Sequence, residues 1–574
     1  MLAGGQSGRR AAAGEAGAAD FPERARVPGD GPSAARRART AFSPETREET
    51  LVALPGVEFD LLVVGGGITG AGVARDAALR GLSVALVERA DWAAGTSSRS
   101  SKMIHSGVRY LQQGDVGLVR EAAAERQVLR RIAPHRTHSV RVLMPTYGRA
   151  THTKLGLGLW TFEKIAHVTA DEKHEMWGHD ETLAREPTLD GTRLHGAATF
   201  VEYLTDDARL VLDTVRGAHA AGVLCANHAA VTAIAPGPTA SAVEVRDTFT
   251  GRAWTVHART VVNAAGPWVD AVRGLAGVLS GARLHLTKGI HLVVRRERLP
   301  VQHIVIMQAP DRRPVFAAPY GDVTYLGTTD TDYGPPTDHP EVTAADADYL
   351  LVAANRTFVG TPLGRADVIG AWAGLRPLLH EEGKRPSEIS RKDEVMVAGD
   401  GCFLSIAVGK LTTHRRMAER VVDLVCQRLG RRDVPCRTAS VPLPGGVDPA
   451  RMAALAERAR ATLPPAAAER LVRLYGADSE RILARADGGA TIAGQPGVLR
   501  AEIDHVLEHE MALTLEDVLE RRARLLLFAP DQGLGGAREV AAIAGARLGW
   551  DATRTASEIE AYRRLAASLR SFPS

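Results

Sequence analysis

Short apolar runs separated by glycine turns mark the chain from Phe59 onward. FDLLVV (59–64) and LSVALVE (82–88) contain few polar positions, which is the pattern of strands buried in a parallel sheet. Between them, GGGITG (65–70) opens a stretch with helical spacing that ends at Gly81. This order predicts a β–α–β unit at the start of the ordered fold.

The same order of strand, glycine turn and helix recurs twice later in the chain. The two segments are HARTVVNAAGPWVD (257–270) and GCFLSIAVGKLTTHRRMAERVVDLV (401–425). Because the three junctions lie far apart in sequence, we predict one nucleotide-binding domain assembled from separated pieces. Alternating apolar and polar residues predict a second, antiparallel sheet over the nucleotide, in the segments VTAIAP, SAVEVRDT, VVRRERL and VTYLGTTD.

The two ends of the chain differ from the central region in the spacing of their apolar residues. After SVPLPGG (440–446), apolar residues recur at spacings of three and four, so we predict a helical C-terminal domain over 448–574. Residues 1–50 are rich in Gly, Ala, Pro and Ser and lack hydrophobic periodicity. We therefore expect a disordered leader that is dispensable for turnover, and its lack of an apolar segment argues against a secretory signal.

The first glycine turn has the composition of a dinucleotide site. Gly65, Gly67 and Gly70 form GxGxxG between a strand and a helix, which permits a tight turn and close approach of a pyrophosphate. Glu88 ends the second strand, where its carboxylate accepts from ribose hydroxyls and repels the 2′-phosphate of NADP. FAD is favoured over NAD because the return strands follow much later and no second GxGxxG is present.

Composition argues against a nucleic-acid-binding, membrane-spanning or disulfide-rich protein. The 71 basic and 67 acidic side chains give a net charge of +4, which is no signature of nucleic-acid binding. No segment offers the roughly 18 uncharged apolar residues that a membrane-spanning helix requires. The four cysteines form no CxxC pair, so we expect no metal site, no disulfide framework and a reducing, cytoplasmic setting.

Taken together, the motifs resemble the FAD-dependent, respiratory glycerol-3-phosphate dehydrogenases over about residues 58–530. The stretch 91–126 is similar to the flavin-facing segment of that family, and TLEDVLERRARLLL (514–527) is similar to its helical domain. Further family motifs follow in family order, namely LTDDARLVL, NAAGPW, KGIHLVV, LGTTDTDY, AGLRPL, ISRKDE and GKLTTHRRMAE. Three positions depart from the family pattern: Ser106 and Val408, where the family commonly has glycine, and His414, where it often has tyrosine.

The resemblance implies an α/β fold with an added helical domain. The expected core is a Rossmann-like FAD-binding domain of the glucose-oxidase and D-amino-acid-oxidase type, interleaved with an antiparallel-sheet substrate domain. The expected bounds are 58–440 for the whole, with the FAD-binding domain at about 58–135, 200–280 and 365–430 and the substrate domain at about 136–200 and 281–364.

The resemblance also implies the residues of a site for FAD, bound without a covalent link. The expected cofactor ligands are Gly65, Gly66, Gly67, Gly70, Glu88, Arg89, Thr96, Ser97, Ser98, Lys102, His105, Val231, Ala265, Gly266, Trp268, Gly409, Lys410, Leu411 and Thr412. The expected substrate ligands are Arg109, Tyr110, Asp330, Arg376, Arg391 and Lys410. The expected catalytic residues are His105, His291, Arg376 and Lys410.

The implied substrate, glycerol 3-phosphate, accounts for these residue types. A phosphate dianion is bound by arginine forks and lysine, so Arg376 and Lys410 are its expected ligands. Lys410 beside the flavin pyrimidine oxygen is the alternative. Loss of a hydride from the alcohol requires a base for its proton, which either His105 or His291 would supply. Asp330 would orient a histidine, hold a substrate hydroxyl or cap a turn.

The resemblance further implies a membrane quinone as electron acceptor and peripheral contact with the inner face of the cell membrane. The segment THTKLGLGLWTFEKIAH (151–167) is either a helix in the lipid interface or an ordinary core-facing helix. Three rival functions stay open: a glycerol-3-phosphate oxidase that uses O2, an amine or amino-acid oxidase of the same fold, and a non-catalytic flavin-binding protein. The oligomeric state is open too, with a homodimer as one option.

Overall fold

The structure is a computed structural model of the chain. It describes residues 42–108, 111, 114–278, 284–334, 336–360, 362–379, 395–398, 401–407 and 409–572. The predicted substrate ligands Arg109, Tyr110 and Arg391 lie outside these residues, as does Val408.

The first sheet contains the three strands that precede the glycine turns. Its strands are β1 (Glu58–Val64), β2 (Val84–Val87), β7 (Leu224–Ala226), β8 (Ala229–Ala235), β9 (Ser241–Asp247), β10 (Ala253–Asn263), β17 (Val395–Ala398) and β18 (Phe403–Ile406). Their order is β17-β18-β10-β1-β2-β7, and the pairs within β18-β10-β1-β2-β7 are parallel. The three predicted junctions therefore lie on neighbouring strands, at the same edge of one sheet.

The second sheet is antiparallel apart from one parallel pair, between the strands His138–Thr146 and Ile304–Gln308. Its strands are β3 (Met103–Ile104), β4 (His138–Thr146), β5 (Glu175–Gly178), β6 (Gly196–Leu204), β11 (Leu284–Arg295), β12 (Ile304–Gln308), β13 (Pro314–Tyr320), β14 (Val323–Gly327), β15 (Thr331–Asp332) and β16 (Val368–Leu379). Strand β11 pairs with β14, β15 and β16, which places the start of the AGLRPL motif beside the start of KGIHLVV.

Helices cover the two sheets and form most of the C-terminal part. They are α1 (Pro44–Ala53), α2 (Ile68–Leu79), α3 (Val116–Ile132), α4 (Arg149–Ala166), α5 (His179–Arg185), α6 (Asp207–Ala220), α7 (Val269–Leu275), α8 (Ala344–Thr357), α9 (His414–Arg428), α10 (Pro449–Arg460), α11 (Pro465–Tyr475), α12 (Ser479–Leu483), α13 (Arg500–His509), α14 (Leu525–Phe528), α15 (Ala537–Leu548) and α16 (Ala552–Ser568). A π-helical turn spans Asp517–Arg522, and β19 (Thr491–Ile492) pairs with β20 (Gln495–Leu499). Among the helices described, none is long and apolar enough to cross a membrane.

Two packed cores explain this arrangement. One face of the first sheet packs on α2, α6 and α9 through side chains such as Val73, Val211 and Val421. The C-terminal helices share a core with one face of the second sheet, where Tyr325 and Trp372 belong to the same cluster as Leu526. The helical domain is therefore packed directly on the sheet that carries the predicted substrate residues.

Strand membership differs from the sequence prediction in two places. VTAIAP and SAVEVRDT form β8 and β9, which pair with each other and extend the first sheet through β10. Strand β16 falls within the predicted FAD-binding piece that starts at about 365, but it pairs along its length with β11 in the second sheet. Alternation shows that one face of a strand is buried, and it does not identify the partner strand.

The start of order also differs from the prediction. Helix α1 begins inside the predicted disordered leader, residues 1–50, and continues to Ala53. Ser43 caps this helix, and its buried face includes Leu51. Arg47 donates to the Asn227 carbonyl at 2.8 Å and pairs with Asp247 at 2.6 Å. These long-range contacts order a segment whose own composition does not predict a packed helix.

Candidate functional site

The glycine turn after β1 has the backbone geometry that the sequence predicts. Gly65 has a φ of +109°, which a residue with a side chain rarely adopts. A Cβ atom on Gly70 would lie 1.9 Å from the Gly65 carbonyl oxygen, so only glycine fits there. The turn leads into α2, whose first N–H groups are the anion-binding end of the helix.

Glu88 holds this turn from the end of β2. Its two carboxylate oxygens accept from the Gly66 N–H at 2.7 Å and the Ala90 N–H at 2.8 Å. Burial raises the pKa of Glu88, while these two hydrogen bonds oppose that effect. Each oxygen retains a second lone pair, so the carboxylate can still accept from a ribose hydroxyl.

The other two glycine turns adjoin the first. The Ala264 N–H donates to the Val64 carbonyl at 2.8 Å, which joins NAAGPW to β1. A Cβ on Gly409 would lie 2.6 Å from Thr69 Oγ1, so the GKLTT turn contacts the start of α2. Separated parts of the chain thus meet at one edge of the first sheet, as predicted for a single dinucleotide site.

A serine-rich segment, residues 96–101 (TSSRSS, hereafter the serine loop), joins this edge to the second sheet. Ser97 Oγ accepts from the Ile68 N–H at 3.0 Å, at the start of α2. Thr96 Oγ1 donates to the Leu375 carbonyl at 2.6 Å, on β16. The loop therefore lies between the dinucleotide turn and the predicted substrate residues.

Arg376 lies on β16 opposite Thr287 of the neighbouring strand β11. Its guanidinium group covers Gly289, where an added Cβ would lie 2.2 Å from Nη2. It donates to Asp330 Oδ1 at 3.2 Å and to Thr328 Oγ1 at 3.0 Å, and the side chain stays 27% exposed. Asp330 therefore orients Arg376, which is a role that the sequence analysis did not consider for it.

His291 lies two residues from Gly289 on β11 and is buried. Its ring stacks on Trp372 with centroids 4.7 Å apart, and Nε2 lies 3.1 Å from Ser101 Oγ. Burial lowers the pKa of His291 well below its usual value, and the charges of Arg376 and Lys102 lower it further. The imidazole is therefore neutral at pH 7, as a general base must be, although its low pKa makes it a weaker base than an exposed histidine.

His105 occupies a different environment. Its side chain is exposed, and its backbone N–H donates to Thr412 Oγ1 at 3.0 Å. This contact joins the segment after the serine loop to the GKLTT turn. Lys410 is partly exposed in that same turn.

The ammonium group of Lys102, a predicted cofactor ligand, is buried among protein groups. It donates to the Ser98 carbonyl and to Asp207 Oδ1, both at 2.8 Å, and it is fully buried. Burial lowers the pKa of Lys102 to about 8. These contacts make it a support for the serine loop, and the sequence analysis missed its partner Asp207 although LTDDARLVL was among the motifs.

The remaining predicted cofactor residues lie around the same edge. The Arg89 guanidinium stacks over the Trp268 ring at 4.3 Å, and both side chains bind Asp338. Val231 lies on β8, and Ala265 and Gly266 form the turn before Trp268. Leu411 accepts from Nδ1 of His414, so the residue that replaces the family tyrosine holds the GKLTT turn.

A cavity of about 490 Å³ opens beside these residues. Thr96, Trp268, Leu375 and Leu569 are among its lining residues. One side of it is formed by the end of α16, so the helical domain borders the site directly.

A cluster of Asp91, His228 and Asp517 has the spacing of metal ligands. Its carboxylates already accept from guanidinium groups, with Arg521 Nε 2.6 Å from Asp91 and Arg521 Nη2 2.7 Å from Asp517. The arrangement is that of a buried ion-pair network between the first sheet and the π-helical turn.

Comparison with known proteins shows the family to which the chain belongs. Residues 60–415 match the family model of FAD dependent oxidoreductases, and residues 436–555 match the C-terminal domain of alpha-glycerophosphate oxidase. The chain is 39% identical over 507 residues to the aerobic glycerol-3-phosphate dehydrogenase of Bacillus subtilis, which covers 85% of this chain and 91% of the relative. Identity to the enzyme of the same name from Staphylococcus aureus (strain USA300) is 41% over 415 residues, 71% of this chain and 74% of the relative.

Solved structures show the same fold. The glycerol-3-phosphate dehydrogenase from Bacillus halodurans complexed with FAD has a TM-score of 0.78 at 33% identity, covering 92% of this chain and 99% of that one. The L-alpha-glycerophosphate oxidase from Mycoplasma pneumoniae, at 17% identity, covers 68% of this chain and 99% of that one, and its TM-score of 0.53 shows a likeness of fold alone. The predicted fold class and the FAD cofactor are thereby confirmed. This chain belongs to the FAD-dependent oxidoreductase family that contains the aerobic glycerol-3-phosphate dehydrogenases.

Proposed function

We propose that this protein oxidises glycerol 3-phosphate to dihydroxyacetone phosphate and passes the electrons to a membrane quinone. The observation that supports this most is the pair of Arg376 and His291 on adjoining strands, beside the serine loop. A guanidinium fork suits a phosphate dianion, and a neutral imidazole suits an alcohol proton. The names of the relatives point to the same substrate.

In this proposal Arg376 binds the phosphate group. Asp330 accepts from its Nη1 and Thr328 from its Nη2, which fixes the plane of the guanidinium. Lys410, in the turn that contacts α2, adds a second positive charge. Bound FAD supplies the chemistry of hydride acceptance.

His291 receives the alcohol proton in this proposal. Its Nε2 faces Ser101 Oγ, while Nδ1 has no hydrogen-bond partner among the described residues. A dianion bound at Arg376 offsets the charge that lowers the pKa of His291. Substrate binding should therefore raise the pKa of His291 only by this electrostatic part, since burial, the larger cause of the low pKa, is not relieved.

The electron acceptor is either a quinone or O2. The match of the C-terminal part to a domain of alpha-glycerophosphate oxidase keeps the oxidase as the second candidate. After anaerobic bleaching of the flavin by glycerol 3-phosphate, we expect fast recovery of the flavin colour with a soluble quinone analogue and slow recovery with O2. Faster recovery with O2 would assign the protein to the oxidases.

The quinone proposal includes contact with the inner face of the cell membrane through α4. Leu159 and Phe162 are buried, so this helix packs on the protein. Leu157 and Trp160 are 64% and 52% exposed, next to Lys164. Apolar and basic side chains on one exposed face suit an anionic lipid surface.

Steady-state kinetics of Arg376→Ala and Arg376→Lys test the substrate assignment. Loss of a charged partner of a buried phosphate costs on the order of 2–5 kcal/mol, which is roughly a 30- to 5,000-fold loss of kcat/KM. Arg376→Lys should recover only part of this, because a point charge does not reproduce the fork. Glycerol, which has no phosphate, should lose much less in both variants.

Arg365→Ala is the matched control. Arg365 is exposed and pairs with Asp348, so its loss should leave both substrates unaffected. Equal losses on glycerol and glycerol 3-phosphate in Arg376 variants that retain FAD would place Arg376 in the hydride step and remove the phosphate assignment.

A further inference from the structure

Four buried charged residues join the helical C-terminal domain to the serine loop. They are Lys102, Asp206, Asp207 and Arg524, and we call them the buried charge cluster. Their exposed fractions are 0%, 5%, 0% and 4%, so water does not screen their interactions. Two carboxylates and two cations balance each other, which is how charges are accommodated in a protein interior.

Arg524 connects the helical domain to the cluster. Its Nε donates to Asp206 Oδ2 at 2.7 Å, and its Nη2 donates to Asp207 Oδ1 at 3.3 Å. Both aspartates stand at the start of α6, where Asp206 also caps the helix through the Arg209 N–H. The guanidinium of the C-terminal domain thereby fixes both carboxylates.

Asp207 and Lys102 connect the cluster to the serine loop. Asp207 Oδ2 accepts from the N–H and the Oγ of Ser100, at 3.1 and 2.7 Å. Lys102 binds Asp207 Oδ1 and the Ser98 carbonyl. Ser101, next in the loop, lies within hydrogen-bond distance of His291.

A second route reaches the same histidine. The Lys102 ammonium lies 4.9 Å from the centroid of the Trp372 ring, on which His291 stacks. Lys102 therefore contacts Trp372, the aromatic neighbour of His291, directly. It supports Ser101, the polar neighbour, through the serine loop.

The backbone at two members of the cluster is an independent observation. Lys102 and Arg524 have φ values of +55° and +59°, in the left-handed region where long side chains are unfavourable. Such conformations persist where surrounding contacts over-determine them, and they concentrate at functional sites. Here each left-handed residue directs its charged group into the cluster.

From this geometry we propose that Arg524 is a positioning residue for catalysis. Through Asp206, Asp207 and Lys102 it holds the serine loop, and through Ser101 and Trp372 it holds His291 in its working position. The inference rests on the proposed function insofar as His291 serves the reaction. Arg524 itself contacts neither the glycine turns nor Arg376 among the contacts of the described residues.

The test compares Arg524→Gln with Arg209→Gln in the full-length, FAD-loaded protein. Arg209 is equally buried on α6 and pairs with Glu510 of the same C-terminal domain, at 2.7 Å through Nη2. Its side chain makes no contact with the serine loop among those described, so Arg209→Gln controls for general damage to the domain contact.

The first measurement is anaerobic stopped-flow reduction of the flavin by glycerol 3-phosphate. Because a small misplacement of a reacting group costs up to about 100-fold, we expect Arg524→Gln to slow the limiting rate roughly 10- to 100-fold. The substrate concentration for half-maximal rate should change less, and Arg524→Lys should recover part of the rate. Arg209→Gln should keep the rate within about 2-fold.

The second measurement is amide hydrogen exchange over residues 98–104, which needs no substrate. We expect faster exchange there in Arg524→Gln than in Arg209→Gln. Equal rates and equal exchange in the two variants would overturn the proposal and leave the cluster a purely structural contact. A wild-type protein that glycerol 3-phosphate does not reduce would instead refute the proposed function, and the exchange comparison would still decide whether Arg524 holds the loop.

Discussion

At the scale of the residue, close contact between backbone atoms determines which residue the dinucleotide turn accepts at position 70. A Cβ atom added to Gly70 would lie 1.9 Å from the Gly65 carbonyl oxygen, far below any real contact distance. This oxygen belongs to the backbone, so it cannot move aside as the end of a flexible side chain could. The turn cannot relax without moving the N-terminus of α2, where phosphate charge is expected to bind. Residue identity at this position is therefore set by backbone packing alone.

We expect Gly70→Ala to lose FAD during dialysis, because the displaced turn no longer presents its N–H groups. Gly158→Ala is the matched control, since Gly158 lies in the interior of α4 with nothing within 4 Å of an added Cβ. That change should stabilise the protein by about 0.5–1 kcal/mol, the usual penalty of glycine in a helix. Flavin absorbance after dialysis and thermal unfolding measure the two effects. Full FAD retention by Gly70→Ala would contradict the expected clash.

The two candidate bases differ in environment. We expect His291→Asn to lower the rate of flavin reduction about 10²- to 10⁴-fold, the usual contribution of a general base, with FAD content unchanged. His105→Asn should have a smaller effect, because the contact of His105 with Thr412 uses its backbone N–H. Stopped-flow reduction by glycerol 3-phosphate measures both variants. The reverse order of effects would transfer the role of base to His105.

At the scale of elements, α1 shows how a helix of weak amphipathic character is ordered. The helix contacts β7, and the Phe42 carbonyl just before it accepts from the Met511 N–H at 3.0 Å. Arg47, 1% exposed, connects it to β9 through Asp247. The helix and Phe42 therefore contact both the first sheet and the helical domain, although most of the helix lies in the leader that lacks hydrophobic periodicity.

Two truncations separate α1 from the residues before it. Removal of residues 1–41 should leave the melting temperature and turnover with a dye acceptor unchanged. Removal of residues 1–53 should lower stability, since loss of one partner of a buried ion pair alone costs about 3–5 kcal/mol. Arg47→Ala should reproduce part of that loss, whereas Glu48→Ala, at a position 63% exposed, should not. Equal melting temperatures for the two truncations would show that α1 does not contribute to stability.

At the scale of the whole molecule, each layer contributes to one site. The first sheet presents the glycine turns, the second sheet presents Arg376 and His291, and the helical domain holds the serine loop between them. Helix α4 lies on the second sheet beside β6 and leaves Leu157 and Trp160 exposed. The surface that we propose for membrane contact, on α4, is therefore separate from the candidate active site.

Binding to anionic lipid vesicles tests that surface. Burial of one large apolar side chain contributes about 1.5–3 kcal/mol, so Trp160→Ser should weaken binding roughly 10- to 100-fold. Added salt should weaken it too, because Lys154 and Lys164 contribute electrostatic attraction. Val397→Ser is the control, since Val397 is 57% exposed on β17. Unchanged co-sedimentation of the Trp160 variant would exclude α4 as the contact.

The sequence by itself determined the parts of the site that depend on short-range constraints. Gly65 and Gly70 meet within one turn, and Glu88 follows on the next strand, so their geometry is encoded in a single β–α–β unit. The family motifs also singled out Arg376 and His291, which the structure places on paired strands, and their roles in catalysis stay predictions. Helical spacing likewise predicted the C-terminal domain.

Only the tertiary structure decided which strands pair with each other and which distant residues are in contact. Apolar alternation in β8, β9 and β16 shows which faces are buried, and the identity of the neighbouring strand depends on the packing of the whole sheet. Helix α1 is ordered by Asn227, Asp247 and Met511, which its own residues do not predict. The contact of Asp206 with Arg524 spans 318 positions, and no local pattern reports that two charges so distant in sequence neutralise each other in the interior. A buried charge is stable only when an opposite charge lies beside it, and burial arises only when the chain folds.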